Sequence, residues 1–269
     1  MTEAISYAYA VARDDGTLQD ALAGLSGVSG ASVRLVRVEP GDDLVVAVSP
    51  VPERDFAEDA LRVHLEDLDW LESTARAHHR VVEALTSHTT VLPLRLVTVY
   101  LDDERVRSML RSRRDAFASR LTELAAQVEW GVKIYVDESA GEVAAEEPAD
   151  AALSPGRAYL SRRRAQRHAH DDVYHSAEQA AERVESAARA HAVERVRHRP
   201  QQGGLASGTG ENVTNDAYLV PLQYADDFHA DVARAADGLT GVHVEITGPW
   251  APYSFVTPDT PEPRESAAP

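Results

Sequence analysis

The sequence predicts an α+β protein in which small sheets are backed by helices. Three observations carry that reading. Segments rich in β-branched and aromatic residues alternate with segments whose apolar residues recur at helical spacing, in the order β, β, β, α, β, α, β, linker, α, β, α, β. The 269 residues amount to about two domains at roughly 150 residues each. No internal repeat is evident, and no apolar run approaches the ~20 residues that span a bilayer, Leu44 to Val48 being typical.

Ala4 to Ala12 reads as a strand that ends at Asp14-Asp15-Gly16, a turn signal. Ser32–Glu39 and Leu44–Val48 form two more, joined by Pro40-Gly41-Asp42-Asp43 as a hairpin. The first of these does not alternate cleanly, because Val36 and Val38 interrupt the Val33, Leu35 pattern. From Glu53 the period changes. Phe56, Ala60, Leu61, Leu65 and Leu68, then Leu71, Ala75, Val82 and Leu85, predict one or two helices between Glu53 and Ser87 with a joint near Asp67. Val91 to Tyr100 is strand-like, and Pro93 within it marks a start, an edge or a bulge. Asp102 caps the following helix, whose stripe is Val106, Leu110, Phe117, Leu121 and Leu124. Gln127 to Asp137 returns to a strand pattern.

Residues Glu138 to Ala152 carry Gly141, Pro148 and five acids (Glu138, Glu142, Glu146, Glu147, Asp150), the composition of a linker. Ser154-Pro155 opens a helix, Ser as N-cap and Pro at the first helical position. Helical composition runs to about His198, and an unbroken helix of that length would span roughly 65 Å. A bend or break is therefore expected around His168 to Asp172. Val173, Ala177, Ala180, Ala181, Val184, Ala187 and Ala188 form a small-residue stripe suited to packing on a sheet. Gln201 to Gly210, with four glycines, is a loop; Ala217–Leu222 is a strand, Asp226–Ala236 a short helix and Val242–Thr247 a strand. Beyond Thr257 the tail is Pro, Glu, Ser and Ala, and disorder is expected.

Charge and residue types narrow the chemistry. Lys+Arg 27 against Asp+Glu 44 leaves a net charge of −17, a field that repels nucleic acid and anionic membranes. There is no cysteine, so disulfides, thiolate sites and Cys nucleophiles are excluded. Met1-Thr2-Glu3 lacks a basic n-region and the first cation is Arg13, so a soluble, cytoplasmic protein is expected. Gly208-Thr209-Gly210 lacks the third glycine of a dinucleotide fingerprint, and the sole lysine, Lys133, follows no phosphate-cradling run. Gly27-Val28-Ser29-Gly30 is a turn, not a nucleophile elbow.

The histidines do not assemble a metal site on paper. His168 and His175 share a helix face while His170 points elsewhere, and Asp171 and Asp172 read as solvated. His78-His79 falls inside a helical stripe, where a half-buried, hydrogen-bonded role is expected. Arg157, Arg162, Arg163, Arg164 and Arg167 form a basic patch with Tyr159 among them, read as a solvated helix face or as pairing with the preceding acidic linker. Asp102-Asp103 and Asp226-Asp227 start helices, where they complement the macrodipole. Asn212-Val213-Thr214 is a chance glycosylation triplet. No catalytic, cofactor-binding or metal-binding residues are assigned.

Three stretches together resemble one family. Thr247-Gly248-Pro249-Trp250-Ala251-Pro252-Tyr253-Ser254-Phe255 resembles the T-G-P-W-P-P-Y-S-F signature of the GvpL/GvpF gas vesicle proteins. Glu129-Trp130-Gly131-Val132-Lys133 is similar to that family's central strand motif. Leu92-Pro93-Leu94-Arg95 follows a helix carrying Asp69-Trp70-Leu71-Glu72 and Ala75-Arg76-Ala77-His78, and order, spacing and length agree over about residues 4 to 257. Two departures stand out. The family continues the arginine motif as R-F-G-T, whereas Arg95 precedes Leu96-Val97-Thr98, so a tight turn there must be rebuilt without glycine. Ala251 replaces a usual proline.

The resemblance implies an accessory or minor structural protein required for gas vesicle assembly, located in the cytoplasm with the vesicle. Its implied partners are the small hydrophobic shell protein GvpA and other gas vesicle proteins, with no cofactor and no enzymatic activity. The implied fold is an N-terminal α/β domain over residues 1–126 and a modified ferredoxin-like domain over 127–257, with 258–269 as a disordered tail. The acidic stretch 138–152 then becomes a loop within the second domain. The competing function is a ligand-binding or enzymatic α+β domain, since such folds host many activities. Trp250, Pro252, Tyr253 and Phe255 form either a partner-binding strip or a closure of the chain's own core or domain interface, the latter being favoured. Arg95 is expected as a buried ion pair or carbonyl clamp, and Lys133 as the partner of an acid. The net charge of −17 would suit a soluble escort of a hydrophobic shell subunit.

Overall fold

Strand β1 (Ala4–Arg13) is apolar without alternation because the sheet it centres is covered on both faces. Its residues from Ile5 to Ala12 are all buried. The computed structural model describes residues 4–137, 155–200 and 210–256, without the side chains of 155–158 and 162. The acidic stretch 138–152, Ser154, most of the glycine loop (201–209) and the tail beyond Val256 lie outside the described residues. The chain divides into two units, Met1–Ala126 with Trp250–Pro269, and Gln127–Pro249.

In the first unit β1 pairs antiparallel with β3 (Leu44–Pro52) along its length, from Ala4↔Pro52 to Arg13↔Leu44, with a register shift between Ala8 and Ala10. β2 (Arg34–Arg37) pairs with β3 through the expected hairpin. On the other side of β1 lie β4 (Val91–Pro93) and β5 (Val99–Tyr100). The single strand expected over Val91–Tyr100 is thus two short ones. Pro93 cannot donate to a ladder, and the chain turns at Leu96 and Val97 before pairing again.

The helices follow the apolar stripes. The turn after β1 is held by Asp14, whose Oδ1 accepts from the amides of Gly16 (2.8 Å) and Leu18 (3.1 Å), starting α1 (Leu18–Ala21). Two short helices, α2 (Glu53–Phe56) and α3 (Glu58–His64), precede α4 (Leu68–Thr86). Asp67 is the joint: its side chain accepts from the amides of Asp69 and Trp70 as the N-cap of α4. Ala77, His78, Val81, Val82 and Leu85 turn one face of α4 into a core with Tyr7, Tyr9 and Ala12. The stripe Val106 to Leu124 is buried as expected but belongs to two helices, α5 (Asp103–Ser112) and α6 (Arg114–Glu123), parted at Arg113 where φ is −119° and ψ 15°. Asp102 caps α5, accepting from the Arg105 amide at 2.8 Å.

The second unit starts with β6 (Gln127–Val136), where Trp130, Val132, Ile134 and Val136 alternate toward the core. Next come α7 (Pro155–His191), β7 (Glu194–His198), β8 (Glu211–Pro221), α8 (Ala225–Ala233) and β9 (Val242–Trp250). The strand order is β7-β8-β6-β9, with β6–β8 and β7–β8 antiparallel. Val173, Ala177, Ala180, Val184 and Ala188 pack the C-terminal half of α7 onto β6 and β8 beside Phe228 and Val232 of α8. Their small side chains permit that close approach.

Three expectations are corrected here. The helix from Pro155 does not break at His168–Asp172: α7 is continuous over 37 residues, about 55 Å. Its sequence there is Ala, Arg, Gln and His with no proline or glycine after Gly156, so only the packing stops, not the backbone. The helix also ends at His191, and Glu194–His198, read as helical, is the strand β7. Its mostly exposed Glu-Arg-Val-Arg-His run has no apolar period of its own and is strand only because β8 pairs with it, Glu194↔Leu219 to His198↔Asn215. Finally, the second unit closes at Pro249, not 257. Trp250–Phe255 returns to the first unit, where Ala251, Pro252 and Phe255 are buried.

Candidate functional site

The signature residues build two structural seams. In the second unit, Glu129-Trp130-Gly131 on β6 and Thr247-Gly248 on β9 are adjacent. A Cβ on Gly131 would stand 2.6 Å from Thr247 Oγ1, and one on Gly248 would stand 2.8 Å from the Glu129 carbonyl oxygen and 3.1 Å from the Trp130 ring. Gly248 also holds φ +128°, which side-chain-bearing residues rarely adopt. The two motifs, more than a hundred residues apart in sequence, are therefore one close backbone crossing. Lys133 pairs with Glu245 of β9 at 3.7 Å, an acid on the neighbouring strand.

The second seam lies in the first unit. Tyr7 and Tyr9 are two apart on β1, and both point at α4. Tyr7 Oη contacts His78 Nδ1 at 3.1 Å and accepts from the Val97 amide at 3.0 Å. Tyr9 Oη is hydrogen-bonded to Ser49 Oγ at 2.6 Å, either hydroxyl being able to donate, and accepts from the Val28 amide at 2.7 Å. Around them Tyr7 and Phe56 meet edge-on at 5.8 Å, Phe56 and Trp70 lie 5.8 Å apart, and His64 stacks on Trp70 at 4.8 Å. The C-terminal segment closes this seam. Tyr253 approaches His78 and His79 with ring centroids at 6.4 Å each, and Trp250 meets His79 edge-on at 5.2 Å. Arg120 of α6, itself buried, donates from Nε to the Phe255 carbonyl at 2.8 Å and pairs with Glu123 at 2.8 Å.

Burial sets the electrostatics of the seam. It pushes the His78 pKa down to about 4, with His79 adding to the shift and the Leu94 carbonyl opposing it. It raises both tyrosines, only partly offset by the Val97 amide at Tyr7 and by Ser49 and the Val28 amide at Tyr9. The two tyrosine hydroxyls are taken up in fixing the Val28 and Val97 loops and the His78 and Ser49 side chains to the sheet. Of the signature aromatics only Trp250 is substantially exposed, at 40%. Core closure accounts for Phe255 and for much of Tyr253.

Other residues singled out from the sequence fall elsewhere. Arg95 is exposed, not buried; its backbone carbonyl accepts from the amide (3.2 Å) and hydroxyl (2.7 Å) of Thr98, so the residue frames a turn through its main chain. No glycine rebuilds that turn. Val97 occupies the family's glycine position and adopts φ +64° itself. His168, His170 and His175 are exposed on α7, and among the described residues no group of three His, Asp or Glu could hold a metal. Arg163, Arg164 and Arg167 are likewise exposed. Sequence reasoning missed the Tyr9–Ser49–Val28 network and the Arg120 clamp. The two tyrosines at period two were visible, but their partners lie 19 to 90 residues away.

The model of the family described as "Gas vesicle synthesis protein GvpL/GvpF" matches residues 5–257. The chain belongs to the GvpL/GvpF family. It is 43% identical over 256 residues to gas vesicle protein L of Streptomyces sp. (strain CB03234), covering 94% of this chain and 93% of that protein. It is 28% identical to gas vesicle protein F of the same organism, over 93% of this chain and 99% of the relative. Gas vesicle protein F2 of Halobacterium salinarum (strain ATCC 700922 / JCM 11081 / NRC-1) is 28% identical over 72% of this chain and 73% of that protein. The crystal structure of GvpF from Anabaena sp. PCC7120 superposes with a TM-score of 0.65 at 17% identity, covering 96% of this chain and 98% of that one. GvpF from Microcystis aeruginosa gives 0.56 at 19% identity, covering 94% and 99%. These two likenesses establish a shared GvpF-type fold of helices and two antiparallel sheets. Within the GvpL/GvpF family frame, the signature residues of this chain are those that close its two seams.

Proposed function

We propose that this chain is a non-enzymatic accessory or minor structural protein of gas vesicle formation, which works by binding the shell protein GvpA and other gas vesicle proteins. The observation that carries this reading is the match to the gas vesicle family over residues 5–257, nearly the whole chain. The spending of the signature residues agrees with it. Trp130, Gly131, Gly248 and Phe255 are committed to packing, so the family pattern preserves a shape for partners rather than a reacting group. The absence of a membrane-length apolar helix among the described residues fits action alongside the vesicle rather than within a bilayer.

The second unit supports a modified ferredoxin-like assignment. Its β-α-β-β-α-β sequence of elements and its strand order β7-β8-β6-β9 are those of that fold. Deleting the gene from its cluster should abolish or impair vesicle formation, restored by the intact gene in trans. Co-purification from vesicle-forming cells should recover GvpA with the tagged chain. Normal vesicles in the deletion strain would overturn the role, and intact vesicle dependence without GvpA recovery would overturn the partner.

A further inference from the structure

The N-terminal half of α7 buries none of its described side chains. The packed stripe ends at Val173, and continuing it toward the N-terminus at helical spacing leads to Gln166 and Tyr159. From Tyr159 to Asp172 no residue with a described side chain is buried, and Tyr159 and Leu160 are 61% and 57% exposed. Most helical stability in proteins comes from packing one face of the helix, which this segment lacks among its described side chains. Residues 155–170 contain five arginines and no acid, within a chain of net −17. Arg163, Arg164 and Arg167 make no ion pair among the described residues. The arm is a basic helix with an aromatic and an aliphatic anchor.

The first unit carries the complementary surface. Across the joint between α3 and α4, Val63, Leu65 and Leu68 are exposed at 68%, 48% and 67%. Between Glu58 and Glu72 the sequence has six acids and one arginine. Glu58 and Glu72 are taken by Arg62 and Arg76, while Asp59, Glu66 and Asp69 have no ion pair among the described residues and face solvent. An apolar centre rimmed by carboxylates is what Tyr159 and Leu160 flanked by arginines would seat on.

We propose that the basic arm of α7 docks on the α3–α4 joint of a second copy of this chain. Arm and joint are different surfaces, so the contact closes either reciprocally, as a two-fold dimer in which each copy gives and receives an arm, or head-to-tail as a ring or linear chain. The second copy is the occupant because it supplies both halves of the match, charge and exposed apolar residues, in one molecule. Tyr159 and Leu160 supply apolar anchoring, and the arginines set register and salt dependence.

Sedimentation velocity of the full chain tests this, from roughly 1 to 200 µM at roughly 50 and 500 mM salt. The average mass should rise with concentration at low salt and fall back toward monomer at high salt. The arm variant Arg163→Glu/Arg164→Glu/Arg167→Glu and the joint variant Asp59→Arg/Glu66→Arg/Asp69→Arg should each weaken self-association about tenfold or more. All six positions are exposed, and unchanged far-ultraviolet circular dichroism would verify folding. Mixed together, the two variants should associate again, because the reversed arm meets the reversed joint. A chain monomeric throughout, association indifferent to either variant, or a mixture that stays apart would each overturn the proposal.

Discussion

Val97 should be a position where glycine is better than alanine. Its φ of +64° is imposed by the turn in which the Thr98 amide bonds the Arg95 carbonyl at 3.2 Å, while its own amide is held by Tyr7 at 3.0 Å. For a residue with a Cβ this conformation costs about 1–2 kcal/mol, and a β-branched residue is a pronounced outlier there. Val97→Ala keeps that cost and loses the half-buried methyls packed on the core, worth about 1 kcal/mol. Val97→Gly loses the same methyls and relieves the strain, but its freer unfolded chain costs about 0.4–1 kcal/mol. Glycine should therefore be more stable than alanine by about 0.5–1 kcal/mol and close to the parent chain. At an ordinary position the order is the reverse. Hydrogen exchange of the β1 amides, read by mass spectrometry, isolates the first unit's stability from the second's. Alanine equal to or more stable than glycine would refute the reasoning.

The His78 imidazole stays neutral in the fold down to about pH 4, against an ordinary value of 6.5. Below pH 6.5 the unfolded chain takes up a proton that the folded chain refuses, so stability is intact above that pH and drops by about 2 kcal/mol by pH 5. His78→Gln should flatten the urea midpoint between pH 7 and 5; an unchanged slope would assign it to other groups. Gly27→Ala places a Cβ 2.2 Å from Tyr9 Oη and breaks the Ser49 and Val28 bonds, an expected loss of about 2–3 kcal/mol in denaturant unfolding. Gly248→Ala should cost at least about 2 kcal/mol in the second unit through its φ and the Glu129 carbonyl, seen as faster exchange of β6 amides. Arg120→Met should release the 253–256 segment to proteolysis and exchange at a cost of about 1–3 kcal/mol, leaving β6 unaffected.

Elements with their own period were legible. The helical stripe of α4, the alternation of Trp130 to Val136, the hairpin at Pro40–Asp43, the joint near Asp67 and the Asp102 cap each sit in a few consecutive turns or residues. β7 was not, because Arg195 and Arg197 give a short edge strand no apolar signal, and only pairing to β8 makes it a strand. Arg113 splits α5 from α6 without a proline or glycine to announce it. Of the candidate site, the motif residues were visible, yet their use was not. Arg95 was expected buried and is exposed, its carbonyl framing the turn at Thr98, since a motif position does not reveal how deeply its side chain sits.

Family, charge and most element types were decided by the chain's own order of residues, because periodicity and motif spacing are written along the backbone. Three things waited for the tertiary structure. The terminal motif divides between units, Thr247–Pro249 finishing one sheet and Trp250–Phe255 closing the core of the other. The missing glycine at Val97 is met by strain rather than by a different turn. The small-residue half of α7 packs on a sheet, while in its basic half none of the described side chains is buried. Each depends on groups far apart in sequence meeting in space, and no local pattern encodes the partner.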